Sequence, residues 1–270
     1  MLNTLAILGA GRVGRALGLE LRRAGWNIGA VVTRSKASAR RAARFIGAGT
    51  ALPRTSRHVL NSSVILIATP DAEISEVAKE LVRIGAHQLR GRVVLHTSGA
   101  LGSQALIPLR KYGAAIGSMH PLQSFTGASA PPLAGRVFAI EGEARAVRTA
   151  RKIARALRAL PVRIDAKNKP LYHAAAALSA GHVLAIVEAA TRVLMSIGMR
   201  RSEAVRALLP MTRQVLENYE RLGPRAAWTG PLARGNQAVV HAHVRALARL
   251  SPQYRAAYEV LNRVALRVLT

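Results

Sequence analysis

A glycine-rich turn between a short apolar run and an amphipathic segment is the sequence feature that most constrains the fold. Residues 4–8 (TLAIL) are apolar and lead directly into GAGRVG, Gly9–Gly14. Residues 16–21 then have the apolar spacing of a helix that ends near Gly25, and a second apolar run follows at Ile28–Val32. A strand, a glycine-rich turn, a helix and a second strand form the opening unit of a dinucleotide-binding fold.

The alternation of strand and helix patterns continues through the first 165 residues. Apolar runs typical of strands recur at 64–68, 93–96, 115–119, 137–140 and 162–164. Helical patterns lie among them at 73–84, 103–112 and about 143–159. Short strands that alternate with helices of this length predict an α/β fold with a doubly wound parallel sheet.

Strand patterns stop after Asp165, and the remaining sequence is helical in pattern. Pro170 suits a first helical turn, and the pattern that it opens runs to about Ile197. Further helical patterns cover about 202–222, 236–249 and 252–269. We therefore predict an N-terminal Rossmann domain at residues 1–165 and an all-α domain at residues 166–270.

The three glycines of the turn have separate tasks in a dinucleotide site. Gly9 makes the tight turn, Gly11 lets the backbone approach a pyrophosphate, and Gly14 permits close packing of helix and strand. The alternative is a tight turn that binds nothing. The predicted cofactor-binding residues here are Gly9, Gly11, Arg12, Val13 and Gly14, with Ala68, Thr69 and Pro70 at the end of a later strand.

The end of the second strand indicates which dinucleotide binds. NAD-binding proteins place an acidic residue there, about 20 residues after the last glycine, to bind the ribose hydroxyl. This chain has Arg34 at that point, flanked by Thr33 and Ser35, and no carboxylate. A guanidinium and a hydroxyl suit a 2′-phosphate, so we expect Thr33, Arg34 and Ser35 to bind NADP(H).

Polar residues follow the later strands, where ligands of doubly wound folds gather. The candidates for substrate binding at these strand ends are His96, Ser98, Gly99 and Ser124, and His120 is a candidate for catalysis. The alternative for each histidine is a half-buried structural residue bonded to the backbone. Both histidines at strand ends, with serines nearby, favour a functional role.

Lys169 stands just before the long helical pattern, four residues from His173, so one turn presents both side chains. Such a lysine could bind a substrate carbonyl and donate a proton after hydride transfer. The alternative is a solvated lysine at a helix start with His173 facing the core. In the polar loop 228–236, Arg234 could bind a substrate carboxylate or cap a helix.

The composition argues against several other classes of protein and kinds of site. The absence of cysteine excludes disulfides and iron–sulfur clusters, and no close cluster of His, Asp and Glu suggests a metal site. The formal charge is +27, with 34 arginines and 6 lysines spread along both halves, and aromatic residues are only 4%. Nucleic-acid binding favours a patch with interleaved aromatics, so we expect no nucleic-acid partner and attribute the charge to composition. The positive field would still attract small anions.

The location of the protein is also constrained. The apolar stretch Leu5–Leu8 is too short for a signal peptide, and no apolar run approaches the ~18–20 residues of a membrane span. We therefore expect a soluble, cytoplasmic protein with no membrane partner.

The motifs GAGRVG, ATPD, HTSGA, HPLQSF, KPLYHAAA and TGPLARGN cover nearly the whole chain. In this order they resemble the Rossmann-like oxidoreductases of the 6-phosphogluconate-dehydrogenase-like superfamily, and within it the group whose C-terminal part is domain-of-unknown-function family 2520. The resemblance implies an NADPH-dependent reductase, similar to alternative ketopantoate reductases, that dimerises through its helical domain. In that superfamily an active-site lysine usually precedes an asparagine by one or two turns, whereas Lys169 has no such asparagine after it.

These observations together predict an NADPH-dependent reductase of a small anionic carbonyl acid, with a ketopantoate-like 2-keto acid as the first substrate. Lys169 would polarise the carbonyl, and His173, His120 or His96 would assist. One alternative is an imine reductase of the pyrroline-5-carboxylate type. The other is a non-catalytic NADP(H)-binding regulator, which the missing asparagine favours.

Overall fold

The computed structural model describes residues 4–269 of the chain, and its contacts divide it into two compact units. The first unit extends to Ala177 and the second begins at Leu178. The first contains every strand of the described chain, and the second is helical.

One eight-stranded sheet forms the centre of the first unit. Its strands are β1 (Thr4–Leu8), β2 (Asn27–Val32), β3 (Thr50–Leu52), β4 (Val64–Ile67), β5 (Val93–His96), β6 (Ala115–Pro121), β7 (Val137–Gly142) and β8 (Leu160–Arg163). Their order in the sheet is β3-β2-β1-β4-β5-β6-β7-β8. The first six strands are parallel. Strands β2 and β3 lie on one side of β1, and β4, β5 and β6 lie on the other, so the order of the strands reverses at β1. This arrangement confirms the doubly wound sheet.

The last two strands depart from the predicted all-parallel arrangement. Strand β7 runs antiparallel to β6, and β8 runs parallel to β7. A parallel connection needs a crossover, usually a helix, whereas residues 122–136 between β6 and β7 form none. The chain therefore returns beside β6 in the opposite direction, and the sheet is mostly rather than wholly parallel.

Helices cover both faces of the sheet. The helices that contribute to the apolar clusters on the sheet are α1 (Arg12–Arg23), α2 (Lys36–Ile46), α3 (Ile74–Gly85), α4 (Ile107–Arg110) and α5 (Ala144–Ala156), and α6 (Lys169–Ala177) follows them. Because successive strand residues point to opposite faces, Leu5 and Ile7 belong to one apolar cluster with Leu17 of α1. Leu8, on the alternate face, belongs to a second cluster with Leu81 of α3. The strand ends between these layers are left open for polar residues.

The second unit begins with a π-helical segment, Leu178–His182, and continues as α7 (Val183–Ser196), α8 (Arg201–Ala227), α9 (Gln237–Leu250) and α10 (Pro252–Val268). Helix α7 packs on α8, and α9 packs on α10. Within α8 the backbone leaves helical geometry at Gly223, where φ is 78° and ψ is 175°. Among the described residues of this unit, the buried ones are Thr191, Ala204, Ala227 and Val240.

One helical stretch overturns the expectation that the chain lacks an apolar run long enough for a membrane. Ala166–Ser196 contains an 18-residue window with a mean hydropathy of 1.5, of which only 6% is buried. It is the one such stretch in the described residues, by length and composition alone. The expectation was wrong because histidine, serine and glycine break residues 170–187 into short apolar runs. The segment nevertheless contains no Asp, Glu, Lys or Arg, so its mean hydropathy stays high.

Candidate functional site

A cleft of about 1040 Å³ lies at the carboxyl ends of the parallel strands. Its walls include the turn after β1, the end of β2, the segment after β4 and the loop after β5. His120 and His173 line it as well. Every lining residue belongs to the first unit. The cleft therefore brings the glycine-rich turn and two of the predicted catalytic histidines into one space.

Two glycines of the turn are required by the fold itself. Gly9 has a φ of +86°, and a Cβ there would lie 2.5 Å from the backbone nitrogen of Thr69. A Cβ on Gly14 would lie 2.6 Å from the carbonyl oxygen of Gly9. Side chains are excluded at both positions, as the tasks of tight turn and close packing predict.

Gly11 is different, because no neighbour among the described residues requires a glycine there. Its φ is −75°, and a Cβ would have the carbonyl oxygen of Gly9, 4.0 Å away, as its nearest described neighbour. Gly11 lines the cleft at the start of α1. The open space fits a group that must approach the backbone closely, such as the pyrophosphate of a dinucleotide. The residues present therefore fit the cofactor that the turn predicts.

The end of β2 gives the cleft a basic wall. Thr33 and Arg34 line the cleft, whereas Ser35 caps α2, its Oγ accepting from the Ser38 amide at 3.2 Å. Ser38 and Arg41 line the wall beside Arg34, and the Arg41 guanidinium donates to Ser38 Oγ at 3.0 Å. The sequence shows Arg41 shortly after Arg34, but it carries no signal for Ser38, which lies on α2 beyond the strand end.

Arg34 also has an acidic neighbour that the strand pattern did not show. Its side chain is 90% exposed, and its Nη1 lies 3.8 Å from Glu73 Oε1. Glu73 comes from the short turn between β4 and α3, so the carboxylate enters from another segment. An exposed pair at this distance is weak, and it leaves the guanidinium free to bind an anion in the cleft.

The opposite end of the cleft holds two histidines around Gly99. A Cβ on Gly99 would lie 2.5 Å from His173 Nδ1 and 2.9 Å from His120 Nε2, so both rings pack against this glycine. The two rings meet edge to face with centroids 5.8 Å apart. Nδ1 of His120 lies 2.8 Å from the hydroxyl of Tyr172. The predicted residues His120, His173 and Gly99 are thus brought together.

Burial sets the charge of this cluster. Desolvation, together with the charges of Lys169 and His173, lowers the pKa of His120 to about 4, against the opposing effect of Asp71. Desolvation raises the pKa of Tyr172 to about 12. Both groups are therefore neutral at pH 7, and His120 carries a single ring proton.

His96 shapes the loop after β5 and does not face the cleft. The ring is fully buried, its Nδ1 accepts from the Ser98 amide at 3.2 Å, and its Nε2 donates to the Gly102 carbonyl at 3.1 Å. Burial, reinforced by Lys169, lowers the pKa of His96 to about 4. With both nitrogens engaged, His96 has no atom to offer a substrate.

Ser98 does line the cleft, but its hydroxyl is engaged in the same loop. It donates to Asp71 Oδ2 at 2.8 Å and accepts from the amides of Ala100 and Leu101 at 3.2 and 3.0 Å. Ser98 therefore fixes the backbone that carries Gly99.

Lys169 is completely buried and is absent from the cleft wall. Its Nζ donates to the Ser98 carbonyl at 2.8 Å and to Ser118 Oγ at 2.7 Å. Ser118 in turn donates to Glu141 Oε2 at 3.0 Å, and Glu141 also accepts from the hydroxyl and amide of Ser103. Burial lowers the pKa of Lys169 to about 8, with Glu141 and Asp71 opposing. The structure thus gives neither expected arrangement, a solvated lysine or one at the cleft surface.

The other predicted residues are divided between the two units. Arg12, Val13, Ala68, Thr69 and Pro70 line the cleft. Ser124 is exposed outside its wall, while its neighbours Gln123 and Phe125 lie within it. Arg234 is exposed in a loop of the second unit. In the described residues no group of three or more His, Cys, Asp or Glu could hold a metal ion.

Tyr172, Ser118 and Glu141 are site residues that sequence reasoning missed. Glu141 offered a signal, since it is a lone acid in the otherwise apolar strand VFAIEG. Tyr172 stood next to a predicted residue, but only tertiary packing places its hydroxyl on His120.

Two family models match the chain. Residues 2–121 match the Rossmann-like domain, and residues 136–265 match the domain of unknown function DUF2520. The Rossmann-like domain and the DUF2520 domain that the motifs indicated are therefore confirmed. No curated protein sequence matches the chain.

Solved structures share the fold over nearly the whole length. A Bacteroides fragilis protein that bears the name of an NADP oxidoreductase is 21% identical, with 97% of each chain covered and a TM-score of 0.76. A Thermotoga maritima protein is 25% identical, with 98% of each chain covered and a TM-score of 0.75. A reductive aminase from Aspergillus terreus, in complex with NADPH and ethyl-5-oxohexanoate, is 16% identical, covering 99% of this chain and 94% of its own, with a TM-score of 0.71.

Proposed function

We propose that this chain, a Rossmann-like domain followed by a DUF2520 domain, is an NADPH-dependent reductase of small carbonyl or imine compounds. The observation that carries the proposal is the single cleft that joins Gly11 to His120 and His173. A dinucleotide-binding turn and a pair of proton-carrying rings are the two parts that a reductase needs. The NADPH complex of the Aspergillus terreus reductive aminase supports the choice of cofactor.

The cofactor is held by one wall of the cleft. The open space at Gly11 and the first amides of α1 receive the pyrophosphate. Arg34, Ser38 and Arg41 bind the 2′-phosphate of the ribose. The reductase thus prefers NADPH to NADH, in agreement with the absence of an acid at the end of β2.

Bound NADPH supplies the hydride. His120 presents its Nε2 beside Gly99 and donates a hydrogen bond to the substrate oxygen or nitrogen as negative charge develops there. His173, on the other side of Gly99, is the second candidate for the proton donor. Lys169 donates to the Ser98 carbonyl and so positions the segment that carries Gly99. In this proposal it does not itself contact the substrate carbonyl, which is the role that its sequence position suggested.

A ketopantoate-like 2-keto acid is the first substrate to test, because the positive field of the chain favours anions. An imine is the second, and a specific observation favours it. Asp71 lines the cleft and accepts a hydrogen bond from Ser98, so a carboxylate lies close to the histidines and would favour a protonated imine.

The test follows NADPH absorbance with two panels, 2-keto acids including ketopantoate and imines including cyclic ones and ketone–amine mixtures. We expect consumption with one panel, and a fall of about 10²–10⁴-fold in kcat for His120→Gln with unchanged NADPH affinity. NADPH binding without turnover on either panel would favour the regulator. A chain that binds no NADPH would contradict the proposal altogether.

The second unit supports a homodimer as part of the same proposal. Its helices leave large apolar side chains exposed, among them Leu184 at 69%, Ile197 at 74% and Val264 at 49%. Large exposed apolar surface on a soluble protein often marks a site of association, and this favours a partner surface on the second unit. We expect light scattering to give twice the chain mass for the wild type and a monomer for Leu184→Arg with Val264→Arg. A monomeric wild type would contradict the dimer.

A further inference from the structure

Tyr172 contacts His120 from the side away from the cleft. Its hydroxyl lies 2.8 Å from Nδ1, and the rings meet edge to face with centroids 5.5 Å apart. His120 lines the cleft, and Tyr172 does not. The tyrosine therefore reaches the reacting groups only through the histidine.

The direction of this hydrogen bond follows from the chemistry of its partners. A neutral imidazole has one N–H and one acceptor nitrogen, and a phenol always has a proton to donate. In the described chain, Nδ1 of His120 is the hydrogen-bond partner of the Tyr172 hydroxyl. If Nδ1 carried the proton, the phenol hydrogen would have no acceptor there, which costs free energy for a half-buried group. The arrangement in which Tyr172 donates and Nδ1 accepts is therefore favoured, because it satisfies the phenol hydrogen within the protein.

The other nitrogen must then carry the ring proton. Nε2 lies beside Gly99, 2.9 Å from where a Cβ would stand, and no hydrogen-bond partner occupies it among residues 4–269. Its N–H is free to donate to a group in the cleft. In the opposite tautomer Nε2 would present a lone pair to the lone pair of a carbonyl oxygen or an unprotonated imine nitrogen, and the interaction would be repulsive.

We propose that Tyr172 is a positioning residue that holds His120 in the tautomer with the proton on Nε2. The inference rests on the proposed function, in which that N–H meets the reacting atom. It assigns a role to a residue outside the cleft and explains why the histidine is oriented before substrate binds. The histidine of a catalytic triad depends on its hydrogen-bonded partner in the same way.

The chain supplies a matched control. In the second unit the hydroxyl of Tyr258 lies 2.9 Å from Nδ1 of His243, and the rings meet edge to face at 5.9 Å. This pair has the geometry of Tyr172 and His120, but both its residues lie outside the cleft. Tyr258→Phe therefore removes the same kind of hydrogen bond without touching the proposed site.

The tautomer is measured directly by two-bond ¹H–¹⁵N spectra of the full chain labelled with ¹⁵N-histidine. His120→Gln assigns the His120 signals. We expect Nε2 of wild-type His120 to be protonated and Nδ1 to be an acceptor, and we expect Tyr172→Phe to move the Nδ1 resonance while Tyr258→Phe does not. A wild-type His120 with its proton on Nδ1 would overturn the proposal.

Kinetics give the second readout, on the substrate that the panels identify. We expect Tyr172→Phe to lower kcat by about 10- to 100-fold, less than the 10²–10⁴-fold that a general acid contributes, with KM for NADPH and the melting temperature unchanged. Tyr258→Phe should change kcat by less than about twofold. Equal kcat for Tyr172→Phe and wild type would refute the positioning role. If the wild type consumes NADPH with no compound, the proposed function fails, while the spectra still decide the tautomer.

Discussion

The two units use burial in opposite ways. The first buries large side chains such as Phe138, Leu5 and Ile65 completely, and with them the charged Lys169. The second buries four described residues and leaves Leu184 and Ile197 largely exposed. The first unit thus buries polar groups, which must form hydrogen bonds within the protein. The second unit leaves apolar side chains exposed that its own helices do not cover. The proposed chemistry is placed in the first unit and the proposed association in the second.

Their charged groups differ in the same sense. In the first unit Glu141 and Lys169 are buried and joined through Ser118. In the second unit Glu188 pairs with Arg192 and Arg201 at the surface. Surface pairs contribute little to stability, about 0–1 kcal/mol, whereas a buried charge that loses its partner is costly. Substitution of a buried polar group should therefore lower the free energy of unfolding more in the first unit than in the second.

Lys169→Met should produce the largest effect. It leaves the Glu141 charge buried without its cation, and breaking such a pair costs about 3–5 kcal/mol of unfolding free energy. For a chain of this size the melting temperature should fall by roughly 6–20 °C. Calorimetry or thermal circular dichroism measures the shift.

The matched variant in the second unit is Thr191→Val, which removes a buried hydroxyl that donates to the Val187 carbonyl at 2.8 Å. It should cost about 1 kcal/mol or less. Adding Glu141→Gln to Lys169→Met should recover part of the loss. Equal costs for the two single variants would break the contrast between the units.

The pH dependence of stability should come from the first unit. The pKa of His96 is about 4 in the folded chain against 6.5 when unfolded, so between these values the unfolded state binds more protons. The unfolding free energy should therefore fall as the pH drops from about 7 to 4 and level off below that. His96 alone accounts for about 3 kcal/mol.

Urea unfolding at several pH values measures this dependence. His96→Gln should flatten it, and His120, with a similar pKa of about 4, adds to it in the same window. His241 is exposed in the second unit, so His241→Gln should leave the dependence unchanged. An unchanged slope in His96→Gln would show that the buried imidazole does not resist protonation.

Gly11→Val should abolish cofactor binding while the chain stays folded. The side chain would occupy the space where the pyrophosphate meets the backbone, and the overlap should weaken NADPH binding by about 100-fold or more. Stability should change little, because a Cβ at this position has no described neighbour closer than 4.0 Å. Fluorescence titration with NADPH measures the affinity.

Gly181 in the second unit has equally open surroundings, with nothing within 4 Å of an added Cβ. Gly181→Ala should bind NADPH as the wild type does. Retained affinity in a folded Gly11→Val variant would mean that the turn is structural only.

Arg34→Asp should give the smallest effect, a change in cofactor preference. The loss of a charge-assisted contact to phosphate, about 1.5–3 kcal/mol, should shift the ratio of NADPH to NADH affinity by about 10- to 150-fold. Parallel titrations with both cofactors measure it, and Arg249→Asp on exposed α9 is the control. An unchanged ratio would remove Arg34 from the site and leave Arg41 as the phosphate ligand.

Local patterns sufficed to predict most of the first unit. Seven of its strands coincide with predicted apolar runs, and in β1, β4 and β5 the run reflects a parallel strand that is buried on both faces. Strand β3 was missed because it has three residues and none of them is buried. The direction of β7 was missed because it depends on the path of residues 122–136, which carry no strand or helix signal of their own.

The site was predictable to a lesser degree. The tasks of Gly9, Gly11 and Gly14 follow from spacing, since the turn is made within one segment. The burial of Lys169 and the contact of Tyr172 with His120 arise between segments about 50 to 70 residues apart, which no local pattern encodes. Ser124 was predicted to bind substrate, but its neighbours Gln123 and Phe125 line the cleft and Ser124 does not. The difference is one residue along an irregular loop, where no periodic pattern indicates which side chains face the cleft.

The burial of Lys169 also makes its amine a measure of local unfolding in the first unit. The sequence has six lysines, and five of them, Lys36, Lys79, Lys111, Lys152 and Lys167, are exposed. An amine-reactive reagent therefore modifies these five in the native chain and reaches the sixth only when the first unit opens. The rate at which Lys169 alone is modified measures how often that unit opens locally, without any probe being introduced. The fragment that carries Lys169 also carries the exposed Lys167, so a second modification on that fragment reports the opening.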